Sequence, residues 1–155
     1  MRIVAVVGAG ECDFETTGLA EQVGMLLAQR RFAIVCGGLG GVMAAACRGA
    51  KSAGGLTIGI LPGVDPKAAN AWVDVPIATG LGEARNFLVV RAAEALIAVG
   101  GEFGTLSEIA LALKLGKTVV GLNSWQLGRG GNLQAVFPEV TTAAEAVEAC
   151  LARLS

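Results

Sequence analysis

Apolar and polar positions follow one another along the chain in two rhythms. Short continuous apolar runs lie near residues 2–7, 33–36, 56–60, 73–77, 95–99 and 118–122, as expected of strands covered on both faces. Between them, and after the last, apolar residues recur at helical spacing near 15–30, 41–53, 83–94, 104–115 and 142–153. Strand and helix taking turns predict an α/β fold, a doubly wound and mostly parallel sheet with helices on both faces. In such sheets ligands bind beyond the carboxyl ends of the strands.

Glycine concentrates at those ends. Gly8-Ala9-Gly10 follows the first run, Gly37 to Gly41 the second, and Gly100-Gly101-Glu102-Phe103-Gly104 the fifth. A strand running through a glycine-rich turn into a helix aims backbone N–H groups and the positive end of the helix dipole at one spot. Several such turns on one edge point to a shared site for a phosphate-bearing, nucleotide-like ligand.

The helix expected from Thr105 places Leu106, Ile109, Ala110 and Leu113 on one side and Leu111 and Leu115 on another, and residues 87–98 are similarly poor in charge. A helix apolar on two sides needs two partners. One is the sheet, and the expected other is a second copy of the chain, in a homodimer or homotetramer. Composition agrees, since 54% of residues are hydrophobic and only 16% charged, against roughly 25% charged in an ordinary domain.

Length and charge narrow the partners. The 155 residues match one average domain, and no Pro/Ser-rich linker divides residues 1–155. The net charge is −1 with lysines and arginines scattered, so no basic stripe favours nucleic acid. The longest uncharged stretch, Phe32 to Cys47, is 16 residues with four glycines, too short and broken for a membrane span. Gly8-Ala9-Gly10-Glu11 interrupts the first apolar run too early for a secretion signal, so a cytoplasmic location is expected.

Missing residue types remove whole chemistries. There is no histidine, and Cys12, Cys36, Cys47 and Cys150 form no C-x-x-C pair, so no metal site is expected. Nucleophile systems built on an imidazole are excluded too. Cys12 and Cys36 both fall on the ligand edge, where they could approach each other. Gly8-x-Gly10-x-x-Asp13 lacks the third glycine of the dinucleotide fingerprint, and Cys36-Gly37 stands where its acidic residue belongs. Gly116-Lys117-Thr118 has Leu111 in place of the leading P-loop glycine and precedes a strand, so it is read as a helix C-cap. No lysine lies in the glycine turns to hold pyridoxal phosphate.

Two residues carry candidate chemistry. Thr105-Leu106-Ser107-Glu108 matches the S/T-x-x-E capping box, in which Thr105 would cap and Glu108 reach back. Thr142-Ala143-Ala144-Glu145 repeats it with no glycine turn nearby and reads as a cap alone. Glu108 lies among anion-binding turns, where Arg85 is the nearby cation and its planar fork suits a phosphate or a carboxylate.

Taken together, Gly100-Gly101-x-x-Gly104-Thr105-x-x-Glu108, Gly37-Gly38-x-x-Gly41-Val42-Met43 and Arg85 resemble the signature segments of the LOG-like (SLOG) proteins. Ala84-Arg85-Asn86 and Val99 in place of the signature proline resemble most the group containing molybdenum-cofactor carrier proteins. The resemblance implies a Rossmann-like domain that needs no resident cofactor and takes a phosphorylated small molecule, with molybdenum cofactor as one ligand. It also implies that Gly8, Gly10, Gly37, Gly38, Gly41, Met43, Gly100, Gly101, Gly104 and Thr105 hold the ligand. In the enzyme members it implies phosphoribohydrolase action on nucleoside 5′-monophosphates, with Arg85 positioning the substrate and Glu108 assisting water or stabilising the ribosyl cation. In the carrier members the same turns hold a pterin-linked phosphate without reaction.

Overall fold

Successive residues of the first strand, β1 (Arg2–Gly8), supply two separate cores: Val4 and Val6 face one way, Ala5 and Val7 the other, all almost wholly buried. A strand can be apolar at every position only if helices cover both sheet faces. The computed structural model describes residues 1–154. After β1 come α1 (Phe14–Gln29), β2 (Phe32–Cys36), α2 (Val42–Ser52), β3 (Thr57–Leu61), β4 (Val75–Ala78), α3 (Asn86–Ala92), β5 (Ala95–Val99), α4 (Phe103–Lys114) and β6 (Thr118–Leu122). A small hairpin of β7 (Leu127–Arg129) and β8 (Asn132–Gln134), then β9 (Glu139–Val140) and α5 (Ala143–Leu151), complete it.

The main sheet has the order β4-β3-β2-β1-β5-β6-β9, with every pairing parallel. Helices α1, α2 and α5 share a core with Val4, Val6, Ile34, Ile97 and Val120, while α3 and α4 pack with Ala5, Val7, Val35, Leu96 and Val119 on the opposite face. This is the expected Rossmann-like α/β architecture. Chain order reverses between β1 and β5, which opens a crevice beyond their carboxyl ends.

Two glycines set the spacing of α1 and α2. A Cβ on Gly24 would stand 2.0 Å from the Ala46 carbonyl oxygen, and one on Gly49 1.9 Å from that of Glu21, so the helices touch backbone to backbone.

Several boundaries differ from the sequence pattern. The strand expected at 73–77 begins only at Val75, because the Asp74 carboxylate accepts hydrogen bonds from the Thr57 amide and hydroxyl and holds the entry to the edge. Pro76 is tolerated because β4 is an edge strand. The helix expected at 83–94 is a 3₁₀ turn, Gly82–Arg85, followed by α3, which stops at Ala92 so that Glu94 can donate its amide to Ile3 and start β5. The β7–β8 hairpin was not anticipated, although Gly130-Gly131, with φ of 56° and 81°, is a two-residue hairpin turn. The last turn of α4 ends as read: Gly116 has φ 68°, and its amide and that of Lys117 return to the Leu113 and Ala112 carbonyls. The Lys117 ammonium caps α3 through the carbonyls of Val90, Arg91 and Ala93. Ala110, placed with the apolar residues of α4 by sequence, is exposed, whereas Ile109 and Ala112 are buried. No helix among the described residues is long and apolar enough to cross a membrane.

Candidate functional site

The crevice at the strand-order reversal is a cleft of about 680 Å³. It gathers residues from four chain segments: Gly8 and Gly10 at the end of β1, Gly37 and Met43 around the start of α2, Arg85 and Asn86 at the start of α3, and Gly104, Thr105 and Glu108 from α4. Of the residues singled out from sequence, Gly38, Gly41, Gly100 and Gly101 are not in its wall. Gly38 lies against β3, Gly41 is the N-cap of α2 packed on Ala9 and Gly10, and Gly100 and Gly101 floor a neighbouring hollow.

Close approach explains two of these glycines. A Cβ on Gly37 would meet the Arg85 guanidinium and the Met43 sulfur, each at 2.7 Å, so the arginine can cross the end of β2 only over glycine. Gly41, at φ 60°, would bring a Cβ within 2.2 Å of the Ala9 carbonyl oxygen, which instead accepts the Val42 amide at 3.0 Å.

Four longer helices begin at this edge of the sheet, and they begin in two ways. Asp13 caps α1 by accepting the Thr16 amide, and Thr142 caps α5 by accepting that of Glu145. The cleft helices α2 and α4 have no side-chain cap. In α4 the first backbone bond is from Leu106 to the Glu102 carbonyl, which leaves the amides of Phe103, Gly104 and Thr105 without helical acceptors. Uncapped amides beside a cleft are ready donors to an anion.

The capping box at Thr105 does not form. Left-handed Gly100 and Gly101, with φ of 55° and 108°, turn the chain early, so the N-cap is Glu102 and Thr105 is buried at the third helical position. Glu108 is therefore one turn inside the helix, only 8% exposed, in the cleft wall and in no ion pair among the described residues. Burial pushes its carboxyl up to about 8, and the charge of Arg85 only partly opposes this. At neutral pH it is mostly the neutral acid.

Arg85 is held by backbone. Its Nε donates to the Ile60 carbonyl at 2.9 Å, one terminal nitrogen donates to that of Gly37 at 3.5 Å, and the other to the Asn86 side chain. A guanidinium has more N–H groups than these acceptors use, so donors remain for a ligand. It is the one cation in the described cleft wall, against carboxyl groups of Glu11, Glu83, Glu102 and Glu108. An anion here would depend on local amides and one guanidinium rather than on net charge.

Sequence reasoning missed Glu11, Glu83, Asn86, Phe103 and Ser107 in the wall. Asn86 and Phe103 were readable as neighbours of Arg85 and Gly104; the glutamates carry no local signal. Cys36 does not meet Cys12. Its sulfur lies 3.6 Å from that of Cys47 and accepts the Gly38 amide, while Cys12 contacts the Thr17 hydroxyl. Among the described residues no group of three or more His, Cys, Asp or Glu is placed to hold a metal.

Known proteins share this fold. The chain is similar to an uncharacterized protein of Archaeoglobus fulgidus, 51% identical over 119 residues, covering 77% of this chain and 78% of that one. Its fold matches the molybdenum cofactor binding protein of Rippkaea orientalis with a TM-score of 0.89 and 34% identity, covering 99% of this chain and 98% of the other. It matches the molybdenum cofactor carrier protein of Chlamydomonas reinhardtii with a TM-score of 0.82 and 33% identity, over 98% and 99% of the two chains. The profile of the SLOG cluster4 family matches residues 1–152, and the chain belongs to that family.

Proposed function

We propose that the protein binds and carries a phosphate-bearing pterin of the molybdenum-cofactor class, with the phosphate at the N-termini of α2 and α4. The observation that carries this reading is the convergence of two uncapped helix N-termini on one cleft, in a chain whose other two long helices are capped by their own side chains. Arg85 supplies one fixed cation. Glu108 supplies a proton instead of a second negative charge, which removes the repulsion a carboxylate would exert on a phosphate. Similarity to a molybdenum cofactor binding protein and to a carrier protein supports the choice of ligand.

A phosphoribohydrolase is the second reading, favoured by Arg85 and Glu108 lining the same cleft. It asks Glu108 to act as a carboxylate, on water or on a ribosyl cation, and a group that titrates at about 8 is a poor carboxylate at neutral pH. Binding without cleavage is the better fit.

Calorimetry with molybdenum cofactor, a pterin monophosphate, AMP and inorganic phosphate tests the binding, with release of free base from AMP followed across pH. Saturable binding of a phosphorylated pterin without product is the expected result. Base release that rises through pH 8 and is lost in Glu108→Gln would establish the hydrolase instead, and no binding by any phosphorylated probe would refute both.

A further inference from the structure

Phe103, the first residue of α4, is 76% exposed, and nothing in the core uses its ring. It leans on Trp125, with ring centroids 5.7 Å apart and planes at 34°. Trp125 is fixed from behind: it packs against the core under α4, and its indole N–H donates to the Glu102 carbonyl at 3.1 Å. The pair stands between two spaces. Phe103 lines the phosphate cleft, Trp125 lines a hollow of about 460 Å³, and Glu102 borders both.

The backbone of Gly100 and Gly101 floors the hollow, and the Ser124 hydroxyl pins the Gly100 carbonyl. A Cβ on Gly101 would run into Thr105 at 2.5 Å, so the turn that forms this floor requires glycine. Asn123, in the left-handed region at φ 48°, is exposed at the hollow's border, and its side-chain amide combines donor and acceptor. An aromatic wall, Trp125 braced by Phe103, a glycine floor and an amide are what a planar ring with polar edges needs. Stacking supplies the affinity and the amide reads the edge.

We propose that this hollow is a ring subsite, in which a planar nitrogen heterocycle lies over Gly100 and Gly101 against Trp125, whose ring is held by Phe103, while the phosphate joined to it occupies the N-terminus of α4. The subsite rests on the phosphate reading above and deepens it. It selects heterocyclic phosphates over sugar phosphates that the amides alone would accept equally.

The test uses the full chain carrying Trp72→Phe, which leaves Trp125 as the sole tryptophan. Its emission is titrated with a pterin monophosphate, AMP, ribose 5-phosphate and inorganic phosphate, alongside calorimetry. Ring-bearing probes are expected to change the emission saturably, while ribose 5-phosphate and phosphate bind without doing so. Phe103→Leu keeps an apolar side chain at an exposed position, so folding is not at stake; it is expected to weaken ring-bearing probes about tenfold and leave ribose 5-phosphate unchanged. If ring-bearing probes bind with silent emission and equal affinity for Phe103→Leu, the ring subsite is overturned and the phosphate site stands. If no probe binds by calorimetry, the phosphate reading falls and the subsite with it.

Discussion

Residues 105–108 and 142–145 carry the same Thr-x-x-Glu pattern and have opposite fates. At α5, Thr142 accepts the Glu145 amide at 3.2 Å and donates its hydroxyl to the Glu145 carboxylate at 2.7 Å, so the pattern closes on itself at an exposed helix end. At α4, two left-handed glycines start the helix earlier, and the same residues shift inward until both are buried at a cleft. One copy spends its polar groups on its own helix, and the other keeps them for something else. A cap motif therefore says where polar side chains are, and the preceding turn decides whom they serve.

Glu108→Gln should separate the two copies most. The folded carboxyl titrates at about 8 against 4.5 for the free group, so the native chain keeps a proton that the unfolded chain loses in that window. The stability this contributes is complete below 4.5 and is lost as pH rises through 8. The variant escapes the loss, and its advantage over the native chain should grow across the window to on the order of 5 kcal/mol above pH 8, at about 1.4 kcal/mol per pKa unit. Urea denaturation at pH 5, 7 and 9 measures it; equal stabilities at pH 9 would mean that Glu108 is solvated.

Arg85→Ala comes next. Losing the one cation in the described wall should weaken a phosphorylated ligand roughly a hundredfold, and calorimetry finding less than about fivefold would leave the amides as sole anchors. Thr105→Ala and Thr142→Ala then cross over. Thr142→Ala should cost about 1 kcal/mol of stability, the typical value of a lost N-cap, with unchanged affinity. Thr105→Ala should lose no cap and weaken the ligand a few-fold. Matching behaviour of the two in paired melts and titrations would break the comparison. The smallest effect is that of salt. With one guanidinium facing several carboxyl groups, affinity should change by no more than about threefold between 50 and 200 mM salt.

Much of this was legible in the sequence. The runs at 2–7, 33–36, 95–99 and 118–122 coincide with β1, β2, β5 and β6, because strands covered on both faces read as short continuous apolar runs bounded by turns. Glu108 and Arg85, singled out from their place beside glycine turns, both line the cleft. What was not legible depended on backbone angles or on distant chain. The start of α4 moved because Gly100 and Gly101 are left-handed, which no side-chain pattern encodes. The partner of Cys36 proved to be Cys47, as α2 packs closely enough on the sheet to bring the two sulfurs together. The two-residue strand β9 exists only because β6 offers it an edge.

Because Gly24 and Gly49 bring α1 and α2 to backbone contact, the amides at the head of α2 are set before any ligand arrives. A receptor built this way has little conformational entropy left to lose on binding. Its grip should therefore weaken only gently on warming, and its loading should need no closing motion.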